Sequence, residues 1–503
     1  MPRLALITLL ATLLALPPVT LAQTGDLPAL GDAGGAAISR DQEYQLGRMI
    51  MRQLRDSGAL LEDPATEEYI QTLGRKLASR AHEGQHRFTF FVVNDPRLNA
   101  FALPGGFIGV HHGLILATKN ESELAAVLAH EIAHVTQKHI ARMIQAQGQT
   151  GLMTAAAIMA AVILGSATGA GGDAIQAAMT VAQGAAIQSQ INFTRDNEYE
   201  ADRVGINILS TSGFDTRAMA SFFETMGRYS GLASQRVPEF LQTHPVSSER
   251  IAEARNRIAL LPQLDVESSL EWQLARARIR VMSADLPDDA VAFFESQIPK
   301  DQRDWAEANR YGYALALLQS SRPVDAAEHF KWLRDKRENV IAYHIGLARA
   351  YLAAGDTGLA MVTYEDAHKL FPRNVPLTMH YGEALIQAGK AKQAHTMLLD
   401  LVNNLNYTPS QVRLLALAAS AAGDTADAHY YMSEVHVLSG NLLLATGQLE
   451  LALASPNLDD VQRARFEARL DEIREHLPQN RKKKRRQPSS DEQEDAESRR
   501  ARR

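Results

Sequence analysis

Three glycines, Gly355, Gly389 and Gly423, stand 34 residues apart, each closing a run rich in alanine and leucine. A fixed period of this length constrains the fold more than any single motif. Each unit is one helical hairpin that cannot bury its apolar face alone, so the units must stack into a solenoid with a concave surface. The clearest unit is IAYHIGLARAYLAAGDTGLAMVTYEDAHKLFPRN at 341–374. Its small residues let the two helices of a hairpin approach closely, and its large ones fill the space between hairpins.

In that unit Leu347, Ala348, Tyr351, Ala360, Tyr364, Ala367 and Pro372 fall where a tetratricopeptide repeat needs them. Neighbouring units match more weakly: Ala314, Ala326 and Phe330 before it; Gly382, Ala394 and Leu398, then Ala416, Ala428 and Met432 after it. Segments from about 270 and about 445 read as degenerate end repeats. A concave surface of this kind usually binds a protein or peptide.

The repeats fill only part of 503 residues, so at least one more domain is expected. The sequence suggests a leader at 1–22, a first domain at 23–262, a repeat solenoid at 263–478 and a disordered charged tail at 479–503. The leader reading rests on Arg3, an apolar run from Leu4 to Leu16 and small residues at Thr20-Leu21-Ala22. That run is short for a membrane span, so export by a cleaved signal peptide is expected. The tail's basic run, Arg481 to Arg486, has peripheral contact with anionic lipid as its second reading. A net charge of −6 gives no sign of a nucleic-acid partner. There is no cysteine, which excludes disulfides, a lipoprotein anchor and a cysteine nucleophile.

Ahead of the repeats, helical spacing of apolar residues covers 40–56 and 64–81. RFTFFVVND (87–95) reads as a strand, and 98–115 as a strand, a Pro-Gly-Gly turn and a second strand. A helix is expected from Asn120, with Glu123 completing a capping box, and two more across 191–262. Between them, 143–172 holds no charged residue, and LMTAAAIMAAVIL (152–164) is too short to cross a bilayer comfortably. It suggests a buried or re-entrant hairpin or a flap near the site, with contact at a membrane surface as the second reading.

The helix after Asn120 carries His130-Glu131-Ile132-Ala133-His134. Histidines four apart share one helix face and can reach one ion, while Glu131 lies close enough to serve as general base without ligating. A catalytic zinc takes three protein ligands. One class of such enzymes adds Gly and a third His at fixed offsets, but those positions hold Gln137 and Ile140. His139 would lie about 140° away on a continuous helix, so it reads as a satisfied or exposed histidine. The third ligand is therefore expected from FTRDNEYEADRVGINIL (193–209). There Glu198 and Asp202 share a face: Glu198 suits the ion, and Asp202 suits the distal N–H of a ligating histidine. Glu200 is the lesser candidate.

HEIAH followed by EYEAD resembles the HExxH…ExxxD pattern of the CAAX-prenyl-protease/HtpX-like zinc metallopeptidases; NAFALPGG (99–106) and THPVSSERI (243–251) are similar to that family's motifs. The resemblance implies a mainly α chain: a zincin-like α+β metallopeptidase domain with a small sheet, followed by the α-solenoid. It implies one zinc ion on His130, His134 and Glu198, with Glu131 as base and Asp202 behind the ligands. The strand Asn99, Ala100, Phe101, Ala102 and Leu103 would be the edge on which an extended substrate pairs. His244 would be a regulatory fourth ligand or a turn histidine, and Arg250 an oxyanion stabiliser or a brace for the loop. With a leader and repeats attached, the whole resembles exported members that degrade misassembled outer-membrane barrel proteins, assist their maturation and dock on the barrel-assembly machinery. A chaperone or scaffold acting mainly through the repeats is the alternative.

Overall fold

The computed structural model describes residues 39–81, 87–146, 195–231, 239–299, 306–405, 407–456 and 458–477. The expected leader, the apolar stretch at 152–164 and the charged tail lie outside the described residues.

Helix α1 (Arg40–Asp56) begins at a capping box between Ser39 and Gln42, and α2 (Pro64–Ala78) begins at Asp63 with proline in its first turn. Strands β1 (Thr89–Val93), β2 (Ala100–Leu103) and β3 (Phe107–His111) form a sheet in the order β1-β3-β2, with β1 parallel and β2 antiparallel to β3. Strand alternation sorts the side chains into two cores. Phe90, Val92, Ala102, Ile108 and Val110 join a cluster with α2; Phe91, Val93, Leu103 and Phe107 pack with α1. Helix α1 comes this close only because Gly47 has no side chain: a Cβ there would meet the Pro104 carbonyl at 2.1 Å.

The second expected strand ends early, and a short helix α3 (His112–Ala117) follows. Gly113 forces the turn: its N–H donates to the Asp95 carbonyl at 3.0 Å, and a Cβ would sit 1.9 Å from the Pro96 carbonyl oxygen. Helix α4 (Glu121–Thr136) is buried on nearly every side. Asn120 caps it by accepting from the Glu123 N–H at 2.9 Å, but the Glu123 carboxylate accepts from the Lys119 N–H at 2.8 Å, so the reciprocal half of the expected box lands one residue early. Helix α5 (His139–Ala146) follows. Where two helices were expected across 191–262 there are four: α6 (Arg195–Thr211), α7 (Arg217–Gly231), α8 (Glu239–Thr243) and α9 (Ser248–Ile258). Gly213, in the left-handed region at φ 77°, divides the first two.

The repeats supply α10 (Leu270–Met282), α11 (Pro287–Glu295), α12 (Glu307–Gln319), α13 (Pro323–Lys336), α14 (Ile341–Ala353), α15 (Thr357–Leu370), α16 (Val375–Gln387), α17 (Ala391–Asn404), α18 (Pro409–Ala421), α19 (Thr425–Leu438), α20 (Leu442–Leu453) and α21 (Asp460–Glu475). Leu347, Ala348, Ala360, Tyr364 and Ala367 are buried. The three periodic glycines end the first helix of their hairpins with φ of 86°, 73° and 91°.

The array is tied to the first domain at both ends. In α10, Arg278 pairs with Asp63, the N-cap of α2, and donates to the Tyr311 hydroxyl at 2.8 Å. Next to it, Ser269 donates its N–H and hydroxyl to the Glu121 carboxylate at 2.8 and 2.9 Å, while the Glu121 N–H donates to Ser268 at 3.0 Å. At the far end Arg48 donates to the carbonyls of Leu438 (3.1 Å) and Val437, the last carbonyls of α19. Between these ties lies a cavity of about 800 Å³ lined by residues such as Arg55, Glu67, Phe91, Glu383, Arg413 and His429.

Candidate metal centre

Helix α4 presents His130 and His134 one turn apart, and α6 crosses it closely enough to bring Glu198 alongside. The crossing depends on Gly205, where a Cβ would meet the His130 nitrogen at 3.2 Å and the Ala129 carbonyl carbon at 3.3 Å. The two imidazole Nε2 atoms are 3.0 Å apart. Glu198 Oε1 is 3.4 Å from His134 Nε2, and Oε2 is 3.5 Å from His130 Nε2. His244, just after α8, completes the group with Nδ1 at 3.1 Å from Glu198 Oε1 and 3.4 Å from His130 Nε2. One ligand atom from each of these four buried residues lies within 4.8 Å of the others, a group able to hold a metal ion.

The electrostatics agree with a cation at this point. Burial works against a charged His130, yet the Asp202 and Glu198 carboxylates push its pKa up to about 10. Burial and the neighbouring His130 push His134 well below its ordinary value. Glu198 stays ionised despite burial because His244, His130 and His134 surround it. Glu131 is raised by burial, opposed by His244, His130 and the Ala102 amide. The Ala102 amide and His244 are the polar groups facing Glu131, with His244 Nε2 3.5 Å from Oε1. Burial is the largest of these influences, and it favours the protonated carboxyl.

Behind the cluster, His130 Nδ1 lies 3.0 Å from Asp202 Oδ1, at an oblique angle. Arg250 grips both Asp202 oxygens at 2.7 and 2.8 Å, approaches Glu198 Oε2 at 2.8 Å and donates to the Pro245 carbonyl at 2.7 Å. With its guanidinium 4.9 Å from the centre of the Phe223 ring, Arg250 holds the His244 turn against the carboxylates.

The edge of the sheet runs past the same point. His111 N–H donates to the Asn99 carbonyl at 2.9 Å, which puts Phe101 and Leu103 in the set bonded to β3. The N–H and C=O groups of Ala100 and Ala102 therefore point the other way, and the Ala102 N–H faces Glu131. Helix α8 is anchored there too, its Phe240 N–H donating to the Leu98 carbonyl at 3.0 Å.

His139 and Glu200 stay out of the ligand cluster, as the sequence reading expects, but they meet each other behind it. His139 is fully buried, with Nδ1 2.7 Å from His134 Nδ1 and Nε2 3.2 Å from Glu200 Oε2. The 140° separation holds only on an unbroken helix; α4 stops at Thr136, Lys138 takes φ 56°, and α5 starts afresh at His139. Glu200 faces away from the cluster and holds His139 and Arg142, the latter at 3.0 Å.

Residues 64–258 match the model of Peptidase family M48, and residues 351–418 that of a tetratricopeptide repeat. The chain is 33% identical over 461 residues to the beta-barrel assembly-enhancing protease of Escherichia coli (strain K12), covering 89% of this chain and 91% of that protein. Its counterpart in Yersinia pestis is 32% identical over 475 residues, covering 93% and 97%. The mitochondrial metalloendopeptidase OMA1 of Arabidopsis thaliana is 29% identical over 224 residues, 43% of this chain and 42% of its own. The chain thus belongs to the family of the beta-barrel assembly-enhancing proteases, metallopeptidases of family M48 that carry tetratricopeptide repeats.

Proposed function

We propose that this chain is a zinc endopeptidase of the periplasm that cuts misassembled outer-membrane barrel proteins and supports their maturation. The observation that carries the zinc reading is the spacing of the donors. Ligand bonds of about 2.0–2.1 Å in a tetrahedron put neighbouring donors about 3.3 Å apart; the pairs His130–His134, His134–Glu198, His130–Glu198 and His130–His244 lie 3.0 to 3.5 Å apart, in a group whose four ligand atoms lie within 4.8 Å of one another. Two imidazoles and a carboxylate also suit zinc in a chain without cysteine.

His130, His134 and Glu198 would hold the ion, which when bound would lower the pKa of a water and polarise the scissile carbonyl. Glu131 takes the proton from the attacking water and returns it to the leaving amine. Asp202 fixes His130, and Arg250 braces Asp202 and the His244 turn rather than serving an oxyanion. A substrate strand pairs with the outward groups of Ala100 and Ala102, which brings its backbone past Glu131 without selecting a sequence. His244, beside Glu198 and His130, would be held with the ligands at rest and would have to leave when substrate docks, which would keep the peptidase latent until engaged. The repeats present substrate or dock on the barrel-assembly machinery.

No helix among the described residues is long and apolar enough to cross a membrane. Export rests on the sequence of residues 1–22, and peripheral contact with lipid is left to the charged tail.

Glu131→Gln is the test. It should abolish casein cleavage, as chelation of the wild type does, while zinc content stays at one ion per chain. Retained cleavage in the variant refutes the assignment of the base. Support of barrel assembly by the inactive variant would assign that part of the function to the repeats.

A further inference from the structure

The two histidines of α4 are held from behind in different ways, and the difference assigns a role to a residue outside the metal cluster. An imidazole that offers Nε2 to an ion must carry its proton on Nδ1, and that N–H needs an acceptor to fix the ring. For His130 the group behind the ring is the Asp202 carboxylate, 3.0 Å away at an oblique angle. Behind His134 stands another imidazole, His139 Nδ1 at 2.7 Å. A neutral imidazole accepts at Nδ1 only when its own proton sits on Nε2. His139 Nε2 faces Glu200 Oε2 at 3.2 Å, and Glu200 is steadied by Arg142 at 3.0 Å.

We propose that His139 is a positioning residue for the metal centre, forming with Glu200 a relay that fixes the tautomer and orientation of His134. Every link has a donor and an acceptor: His134 Nδ1–H donates to His139 Nδ1, His139 Nε2–H donates to Glu200, and Glu200 also accepts from Arg142. The break at Lys138 serves this arrangement. On a continuous helix the His139 ring would face elsewhere; restarting the helix turns it back beneath His134. The two arms also differ in exposure. Asp202 is 7% exposed and pinned by buried Arg250, whereas Glu200 is 29% and Arg142 44% exposed. The His134 arm thus ends at the protein surface.

This inference rests on the reading of His130, His134 and Glu198 as zinc ligands. The experiment measures the zinc dissociation constant of the purified mature chain by competition with a chromogenic chelator, alongside the thermal midpoint of the metal-free protein. His139→Leu removes the acceptor and should weaken zinc binding about 10- to 100-fold. His139→Asn places an amide oxygen near the position of Nδ1 and should recover most of that loss. Glu200→Ala changes a part-exposed residue, so it tests the second link even if substitutions at buried His139 prevent folding; it should weaken binding several-fold with an unchanged metal-free midpoint. The inference is overturned if His139→Leu binds zinc as tightly as the wild type, if His139→Asn loses as much as His139→Leu, or if Glu200→Ala binds unchanged. Failure of the wild type itself to bind zinc overturns the metal-site reading instead, which separates the two.

Discussion

Replacing Arg278 by methionine tests how firmly the repeats are joined to the peptidase. Arg278 and Asp63 are 6% and 5% exposed, and the guanidinium grips both carboxylate oxygens. Removing one partner of such a buried pair typically costs about 3–5 kcal/mol, because the other charge stays buried and uncompensated. Asp63 would keep its two hydrogen bonds from Thr66, at 2.9 and 2.7 Å, so the lower end, about 3 kcal/mol, is expected. At tenfold per 1.4 kcal/mol, amides of α2 and α10 that exchange when the two helices separate should exchange about 100-fold faster at pH 7. Hydrogen exchange read by mass spectrometry gives this directly. The pH dependence follows from the sign of the shift. Against the effect of burial, Arg278 and Thr66 hold the Asp63 carboxyl well below its usual range. The stabilisation is therefore complete above an unfolded value of about 3.9 and is lost as pH falls through the lowered folded value. In Arg278→Met burial instead raises the Asp63 pKa, so the gap in thermal midpoint between wild type and variant should narrow as pH falls from 7 towards 4. An exchange rate within twofold of the wild type, or a gap that widens in acid, would refute the reasoning.

Two further outcomes are expected. His244→Ala should raise cleavage of an unstructured peptide several-fold by freeing the fourth position; unchanged activity with unchanged metal geometry removes the latency reading. Gly205→Val sets a branched side chain against the backbone at Ala129 and His130, with Met219 Cε also at 3.2 Å from the added Cβ. Overpacking of that kind costs about 1–3 kcal/mol, and because the clash lies between α4 and α6 it should displace Glu198. Zinc stoichiometry measured after dialysis should fall while circular dichroism stays helical; full zinc retention would show that the crossing tolerates the volume.

Much of this was legible before any coordinates, for local reasons. A left-handed glycine every 34 residues and a histidine pair at helical spacing are both readable in sequence, and Glu198 followed because only one acidic residue shares the face of Asp202 at the right distance. The errors have equally specific causes. His139 is the satisfied, non-ligating histidine expected, but the helical arithmetic behind that reading fails at Lys138, and nothing in Gln137-Lys138 announces a left-handed turn the way glycine does. The cap at Asn120 was placed correctly, but Glu123 was assigned to the wrong N–H because a long acceptor side chain can reach more than one backbone donor. The ties between repeats and peptidase join residues such as Asp63 and Arg278 that lie 215 apart. No periodicity encodes such a pair; only the folded surface does.

Arg48 and Arg52, both on α1, find their acceptors at Leu438, Val437 and Gly440, close to 390 residues downstream. A chain emerging amino-terminus first presents those arginines long before their partners exist. These contacts of α1, though not its packing on the sheet, must therefore wait until the penultimate hairpin has been made.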